Sequence, residues 1–370
     1  MILDGFIVLL SVSFMRYCSV IYVTIAQREQ GIGMTARDGI ELLRKRVNDT
    51  VLGQEHVVDR FLVGLLADGH VLVEGLPGLA KTRTVKAIAD NIDAIYSRIQ
   101  FTPDLSPSDV LGEERLYEED GKKAFRFHKG PIFGNIILAD EINRAPAKVQ
   151  SAMLEAMEER QVTIAGQTVK LPKLFIVMAT QNPIEQEGTY PLSEAQKDRF
   201  LMHVKIDYVS MDAEYQMLKM LQEEYVAPHK PEGKLPQEMI FAAQKEVANV
   251  TVSEAMGRYI VELVFATRYP LRYSKQLGVM IDVGVSPRGS ISLQKCAQAH
   301  AWMKGKKEVE LQDVLAMIHE VFRHRLVISE HAELNGRTID DVINIIIEQV
   351  PVPEGIAEDA REVMINRAKR

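Results

Sequence analysis

The chain has 370 residues, enough for two domains with a sizeable buried core. Its 44 Lys and Arg stand against 51 Asp and Glu, which gives a formal net charge of -7. Such a chain lacks the broad positive field that non-specific nucleic-acid binding requires, so neither DNA nor RNA is expected as a partner. The only cysteines, Cys18 and Cys296, allow neither a disulfide framework nor a Cys-rich metal site. This usage predicts a cytoplasmic protein.

Residues 1–33 differ in character from the rest of the chain. Residues 1–26 are mostly apolar, but Asp4 and Arg16 interrupt them, and each remaining apolar stretch is shorter than the ~20 residues of a membrane span. Asp4 also stands where a secretory signal would carry positive charge. Met34 opens a segment typical of the amphipathic start of a soluble protein. We therefore interpret 1–33 as an apolar extension: a misassigned start codon, a genuine membrane anchor or an unusual leader.

The next part of the chain alternates between helical and strand patterns. Apolar residues recur at helical spacing through 38–67, with a break at Gly53. Short apolar runs predict buried strands, and helical patterns lie between some of them; the strands are 70–74, 96–101, 135–139, 174–180 and 201–206, and the helices include 82–90 and 146–159. This alternation predicts a parallel sheet with helices on both faces.

Two segments break the alternation and predict hairpins. Residues 113–128 turn at Asp120-Gly121, and residues 161–171 turn at 165–167.

Beyond the proline-rich stretch 226–237, strand signals stop and helices take over, with starts predicted at Ser253, Ser286 and Thr338. The predicted organisation is therefore an extension (1–33), a nucleotide-binding core (34–208), a linker (209–240) and a helical lid with C-terminal helices (241–370).

A glycine-rich loop follows the first predicted strand and opens a helix; its residues are Gly75, Leu76, Pro77, Gly78, Leu79, Ala80, Lys81 and Thr82. The backbone N–H groups of such a loop, with the helix N-terminus, attract phosphate. Lys81 would reach the β- and γ-phosphates of ATP, and the Thr82 hydroxyl would ligate Mg2+. Ala80 stands where glycine is usual, and a turn without a ligand is the alternative. We predict that ATP and Mg2+ bind here.

An acidic pair follows the third predicted strand. Asp140 would hold Mg2+ through water, and Glu141 would orient and deprotonate the attacking water. Alone, the pair could equally cap the helix that follows. The phosphate-binding loop earlier in the chain favours the catalytic interpretation.

Five motifs in order, GLPGLAKT, LADEINRAPAKVQSAMLEAMEER, ATQNP, EAQKDRF and VSPRGSISL, closely resemble those of the MoxR family of AAA+ ATPases. The resemblance runs from about residue 51 to about residue 327. It implies an AAA+ P-loop αβα sandwich, with a parallel five-stranded sheet of order 5-1-4-3-2, followed by an all-α lid. ATP would bind between body and lid. Segment 113–128 would be an inserted hairpin, and 161–171 the pre-sensor hairpin.

The resemblance also implies roles for three further residues. Asn182 matches sensor 1, which holds the attacking water or the γ-phosphate. Arg199 matches the arginine finger inserted into a neighbour's site, and Arg288 matches sensor 2, projecting from the lid towards nucleotide. The alternatives are an Asn-Pro turn for Asn182 and ordinary solvated arginines for Arg199 and Arg288.

The family implies a homo-oligomer, typically a hexameric ring, often with a von Willebrand factor A domain partner. We therefore expect an ATPase that remodels or matures protein complexes. The alternatives are a chelatase-type motor subunit for metal insertion and a nucleotide-gated scaffold. Intact Glu141, Asn182 and Arg199 argue against a passive scaffold.

Two arrangements that resemble metal sites are predicted to be packing. His319 and His324 are five residues apart and point in different directions around a helix. Cys296 and His300 share a helix face but lack an evident third ligand.

Overall fold

The structure is a computed structural model that describes residues 34–75, 81–119, 122–164, 166–182, 188–226 and 233–353. The predicted extension 1–33, the loop residues 76–80 and the hairpin turn at Asp120-Gly121 lie outside these ranges. Across the described ranges, no helix combines the length and the apolar character needed to cross a bilayer.

The strands are, in chain order, β1 (Val71–Gly75), β2 (Tyr96–Gln100), β3 (Gly112–Glu119), β4 (Lys122–Lys129), β5 (Ile136–Asp140), β6 (Gln161–Ile164), β7 (Gln167–Lys170), β8 (Ile176–Gln181), β9 (Met202–Ile206), β10 (Ile281–Val283) and β11 (Val327–Ile328). Five of them form one parallel sheet in the order β2-β5-β8-β1-β9. Counted along the chain and read from the β9 edge, this is 5-1-4-3-2, so the predicted order is confirmed.

The helices of the body are α1 (Ala36–Asn48), α2 (Glu55–Leu66), α3 (Lys81–Asn91), α4 (Pro107–Leu111), α5 (Ala147–Glu159), α6 (Glu194–Lys197) and α7 (Met211–Val226). Those after it are α8 (Gln237–Ala248), α9 (Glu254–Arg268), α10 (Lys275–Gly278), α11 (Pro287–Met303), α12 (Leu311–Leu315), α13 (Ile318–Phe322), α14 (Glu330–Leu334) and α15 (Ile339–Gln349).

The sheet buries both of its faces. Successive residues of β5 point to opposite sides, so Ile136 and Leu138 join the apolar cluster of α1, α2 and α3, whereas Ile137 and Ala139 join that of α5. Because both faces are covered, the inner strands β5, β8 and β1 are mostly apolar, as is usual for parallel sheets. This arrangement is an αβα sandwich, as predicted.

Both predicted hairpins form outside the main sheet. β3 pairs antiparallel with β4 from Gly112↔Lys129 to Glu119↔Lys122, and β6 pairs with β7. Near the base of the first hairpin, Phe127 packs edge-on against Phe133 of the body, with 5.6 Å between ring centroids. Farther along, the facing pair Leu116 and Phe125 remains 52% and 70% exposed.

The helix starts predicted for the lid are confirmed. Ser253 accepts a hydrogen bond from the Met256 N–H, and Ser286 accepts one from the Arg288 N–H. Thr338 forms a capping box with Asp341.

The expectation that strands stop after the linker is wrong, because β10 pairs antiparallel with β11 inside the lid. Strands of three and two residues are too short to leave a period-2 pattern. The segment predicted as a linker also contains α7, a helix of 16 residues with apolar side chains on both sides and therefore no clear amphipathic signal.

Buried arginines join the lid to the body. Arg60 of α2 donates to Glu320 of α13 at 2.7 Å and to the Ala316 carbonyl at 2.9 Å. Arg325 donates to Asp198 at 2.8 Å and to the carbonyl of Leu201, just before β9, at 3.2 Å. The lid is therefore fixed beside the β9 edge of the sheet.

Candidate functional site

Three of the predicted site residues gather at one edge of the sheet. β1, β8 and β5 are neighbours and run parallel, so their carboxyl ends meet there. Gly75 ends β1, Asp140 ends β5, and Asn182 directly follows β8. In open parallel sheets this edge is where ligands bind.

The two ends of the phosphate-binding loop are described, and they lie close together. Lys81 is the first residue of α3, and its Nζ donates to the carbonyl oxygen of Gly75 at 2.7 Å. Thr82 follows in the first turn of α3, so its hydroxyl lies at the helix N-terminus, where a phosphate is favoured. Leu76, Pro77, Gly78, Leu79 and Ala80 lie outside the described residues.

Asp140 has a partner on each side. Its Oδ1 accepts a hydrogen bond from the Thr180 hydroxyl at 2.8 Å. Its Oδ2 accepts from Arg98 of the edge strand β2, at 2.7 Å from Nη2 and 3.2 Å from Nε. Asp140 is thus an oriented carboxylate at the end of a buried strand.

Glu141 has a left-handed backbone, with φ 58°. This conformation is uncommon for a residue other than glycine and concentrates at functional sites. Its N–H donates to the Thr180 hydroxyl at 2.9 Å, so one hydroxyl connects both acidic residues. Its Oε2 accepts from Gln100 at 3.0 Å and lies 3.2 Å from the Arg144 Nε. The side chain makes no capping hydrogen bond, so the capping alternative is not realised.

Arg98, Gln100 and Thr180 were not predicted, although they contact the acidic pair directly. Arg98 and Gln100 alternate along β2, and Gln100 is the register partner of Asp140. A weak signal exists in the sequence: Arg98 and Gln100 occupy alternate positions at the end of a short predicted strand, so their side chains share one face. Thr180 lies within the ATQNP motif, two residues before Asn182, the residue predicted as sensor 1.

Asn182 is 7% exposed and follows the central strand of the sheet. Its strand lies between β1, which leads into the phosphate-binding loop, and β5, which ends at Asp140. Neighbouring strands are ~4.8 Å apart, so groups at the ends of β1 and β5 are separated by ~10 Å with Asn182 between them. That spacing suits the phosphates of one nucleotide.

Arg199 and Arg288 come together at the amino ends of the strands, opposite the edge where the carboxyl ends meet. Arg199 Nε lies 2.9 Å from Glu158 Oε2 as an ion pair, without the geometry of a hydrogen bond. Arg288 contacts the other oxygen of Glu158, and its Nη1 is 3.7 Å from Asp198. We call Glu158, Asp198, Arg199 and Arg288 the arginine cluster. It borders a cavity of about 330 Å³.

The position of the arginine cluster follows from the chain direction. The same cavity is lined by His70 and Leu201, which directly precede β1 and β9, so it lies at the amino ends of the strands. A five-residue strand spans about 16 Å at ~3.3 Å per residue. The structure therefore does not bring Arg288 to the phosphate-binding edge of its own subunit, in contrast to the expectation that it projects from the lid towards that subunit's nucleotide.

The residues at the phosphate-binding edge fit Mg2+ and a nucleotide. Carboxylate and hydroxyl oxygens, which Asp140 and Thr82 supply, are the ligands that Mg2+ prefers. Because both oxygens of Asp140 already have protein partners, contact through water suits it better than direct coordination.

In the two arrangements predicted to be packing, Cys296 and His324 are buried and His300 and His319 are half-buried. Cys296 is a free, buried cysteine, and burial raises the pKa of its thiol to about 12. His319 bonds Asn344, and His324 bonds the Phe200 carbonyl. Among the described residues, no group of three or more His, Cys, Asp or Glu could hold a metal ion.

Comparison with known proteins shows which family this chain resembles. Residues 70–202 match the family model described as "ATPase family associated with various cellular activities (AAA)", and residues 278–346 match the AAA lid domain. The chain is 44% identical over 313 residues to "Chaperone MoxR1" of Mycobacterium tuberculosis, covering 83% of this chain and 81% of that protein.

Two further similarities agree. "Uncharacterized protein YeaC" of Bacillus subtilis is 42% identical over 310 residues, covering 84% of this chain and 93% of its own. A crystal structure described as a "putative ATPase" from Cytophaga hutchinsonii superimposes with TM-score 0.81 at 38% identity, covering 90% of this chain and all of that one. Fold, motif order and these similarities agree: the chain belongs to the MoxR family of AAA+ ATPases.

Proposed function

We propose that this protein hydrolyses ATP to ADP and phosphate, and that it uses the cycle to remodel or mature protein complexes in the cytoplasm. The observation that carries the proposal is the single hydroxyl of Thr180, which orients both Asp140 and Glu141 beside the loop closed by Lys81. A passive scaffold has no need of a carboxylate oriented in this way.

The chain's own residues suggest how hydrolysis proceeds. The ammonium group of Lys81 has three donors and would bind the β- and γ-phosphate oxygens together with the backbone N–H groups of the loop. Mg2+, when bound, would supply positive charge that neutralises the negative charge developing on the phosphates. Thr82 and Asp140 would hold it, Asp140 through water.

Glu141 would act as the general base. Its carboxylate is 29% exposed, so water can reach it, and Gln100 and Arg144 hold it in place. In this role Glu141 accepts a proton from the attacking water, and Asn182 holds that water or the γ-phosphate. General-base catalysis of this kind contributes roughly 10²–10⁴-fold to a rate.

The arginine cluster would act on a neighbouring subunit. Arg199 and Arg288 lie at the sheet edge away from their own loop, so they can stabilise a γ-phosphate only when another copy presents one. Arginines in this role contribute roughly 10³–10⁵-fold. This requirement supports a homo-oligomer, and the family favours a hexameric ring with a von Willebrand factor A domain partner. The chelatase and scaffold alternatives gain no specific support.

Complementation in mixed assemblies tests the proposal. Lys81→Ala should lose nucleotide binding, and Arg199→Ala should bind ATP without hydrolysing it. Mixing the two should recover part of the ATPase rate, because some junctions pair an intact loop with an intact arginine.

The matched control is Arg258→Ala, which removes an exposed arginine whose partner Glu254 lies on the same helix and should leave the rate unchanged. If mixed assemblies form but recover no activity, the action across subunits is contradicted.

A further inference from the structure

The outer face of α7 is an apolar surface that nothing in the described chain covers. Met211, Tyr215, Leu218 and Leu221 are 84%, 58%, 63% and 44% exposed. At ~100° per residue they span about 120° of the helix, the width of a stripe that normally faces a protein core. We call these four residues the α7 stripe. Exposed apolar patches of this kind mark interaction sites.

The opposite side of α7 packs on the rim of the nucleotide site. Ala213 lies against Gly53, and Met220 accepts a weak contact at 3.9 Å from Arg83, which is in the first turns of α3. Arg83 also donates to the Thr50 carbonyl at 2.7 Å. The α7 stripe therefore faces away from the body, beside the start of the phosphate-binding helix.

A second exposed surface surrounds the arginine cluster. Arg288 begins a row on α11 that continues with Ile291 and Lys295, spaced so that all three share one helix face. Ile291 is 59% exposed, and both Ile291 and Lys295 line the cavity that contains Arg199. We call Arg288, Ile291 and Lys295 the α11 row.

Charge makes the two surfaces complementary. Among the described side chains of α7, Asp212 and Glu214 are acidic and Lys219 is basic. The cavity beside the α11 row is lined by the cationic residues Arg160, Arg199, Arg288, Lys295 and Arg325, against the acidic residues Asp68, Glu158 and Asp198. The apolar α7 stripe thus has carboxylates beside it, and the α11 row borders a cavity with more cationic than acidic residues. In one copy these two surfaces lie at different edges of the sheet.

We propose that the α7 stripe of one copy packs against the α11 row of the next copy in a head-to-tail contact. This inference rests on the proposed function, which requires Arg199 and Arg288 to reach a neighbour's nucleotide. A copy that delivers them to the phosphates must approach the rim where α7 lies, so the catalytic site and the docking surface are completed together. A contact between two different surfaces repeats around a closed ring or along a filament.

Charge placed in the α7 stripe tests the contact. Leu218→Glu should shift the protein from oligomer to monomer in analytical ultracentrifugation with ATP and Mg2+. Its ATPase rate per chain should fall at least ~10-fold, since the arginines no longer reach a neighbour. Nucleotide affinity should stay within ~3-fold, because the change faces away from Met220 and Arg83. The control, Leu334→Glu, alters an equally apolar side chain that is 80% exposed on α14 and should change none of these.

Cross-linking tests the pairing directly. In a Cys18→Ser background, Leu218→Cys and Ile291→Cys are placed on separate chains, and a short bis-maleimide is added. We expect a cross-linked dimer when the two chains are mixed and none from either chain alone. A dimer from Leu218→Cys alone would show a symmetric contact and overturn the proposal. An unchanged oligomer mass for Leu218→Glu would also overturn the proposal, because the α7 stripe would then be covered by something other than a second copy.

The outcomes separate this inference from the proposed function. Hydrolysis by a wild-type monomer would contradict the docking surface and leave the ATPase assignment intact. A mixed-chain cross-link in a protein that does not hydrolyse ATP would support the docking surface and contradict the proposed function.

Discussion

Removing the carboxylate of Glu320 should loosen the lid from the body. This side chain is 8% exposed and the Arg60 side chain 11%, and they meet at 2.7 Å between Oε1 and Nε. Burial raises the pKa of Glu320, but His56 and Arg60 outweigh it and hold that pKa well below its usual range. The carboxylate is therefore ionised at neutral pH.

The size of the effect follows from what remains after the substitution. Glu320→Ala leaves the Arg60 guanidinium buried with the Ala316 carbonyl as its remaining described partner in the lid. Breaking a buried ion pair by removing one partner costs about 3–5 kcal/mol. Replacing both residues with leucine should cost much less, since no unpaired charge is then left behind.

The assay uses the single tryptophan. Trp302 lies in the lid and is 2% exposed, with Arg37 of α1 over its ring, so its fluorescence reports the junction with the body. With a urea dependence of ~2 kcal/mol per molar, Glu320→Ala should lower the midpoint by ~1.5–2.5 M. A midpoint within ~0.3 M of wild type would refute the reasoning, as would a double leucine variant no more stable than Glu320→Ala.

Three further predictions concern other parts of the chain. Burial, with the charge of Arg160, lowers the pKa of His70 to about 4, so folding favours the neutral ring. The stability it contributes is complete above the unfolded pKa of ~6.5 and is lost as pH falls towards 4. Urea midpoints across this range should show that loss in wild type and a smaller loss in His70→Gln, where His203 and His324, whose pKa values burial also lowers, remain. Replacing 117–127 with a short Gly/Ser loop should keep basal ATPase within a few-fold and end stimulation by a partner, and loss of basal activity would make the hairpin structural. Glu158→Gln should raise the steady-state ATPase rate a few-fold, because Arg199 and Arg288 no longer have to break ion pairs with Glu158 before they reach a neighbour's phosphate. Exposed ion pairs are each worth up to about 1 kcal/mol. A fall in the rate of more than ~10-fold would contradict this prediction.

The sequence predicted most of the helices and strands because most of them leave a local pattern. A buried parallel strand such as β5 is a short apolar run in the sequence. The capping residues Ser253 and Thr338 mark where their helices begin. Strand order came from the family resemblance and not from any local pattern. Neither β10 nor α7 could be found this way, since one is too short and the other is apolar on both sides.

The sequence predicted only those residues of the candidate site that belong to a contiguous motif. Lys81 and Glu141 belong to motifs that can be recognised in a single stretch. Thr180 and Gln100 join the site through strand register, which is set by the packing of the whole sheet. The position of Arg288 depends on how the lid docks, through residues such as Arg325 that carry no motif.

The most direct test of the account is the Glu141→Gln variant. Glutamine keeps the size and the hydrogen-bonding reach of the side chain but cannot accept the proton. We predict ATP binding within a few-fold of wild type by fluorescent-nucleotide titration and steady-state turnover at least ~100-fold slower. ATP hydrolysis by Glu141→Gln at the wild-type rate would contradict the assignment of the base and with it the proposed mechanism.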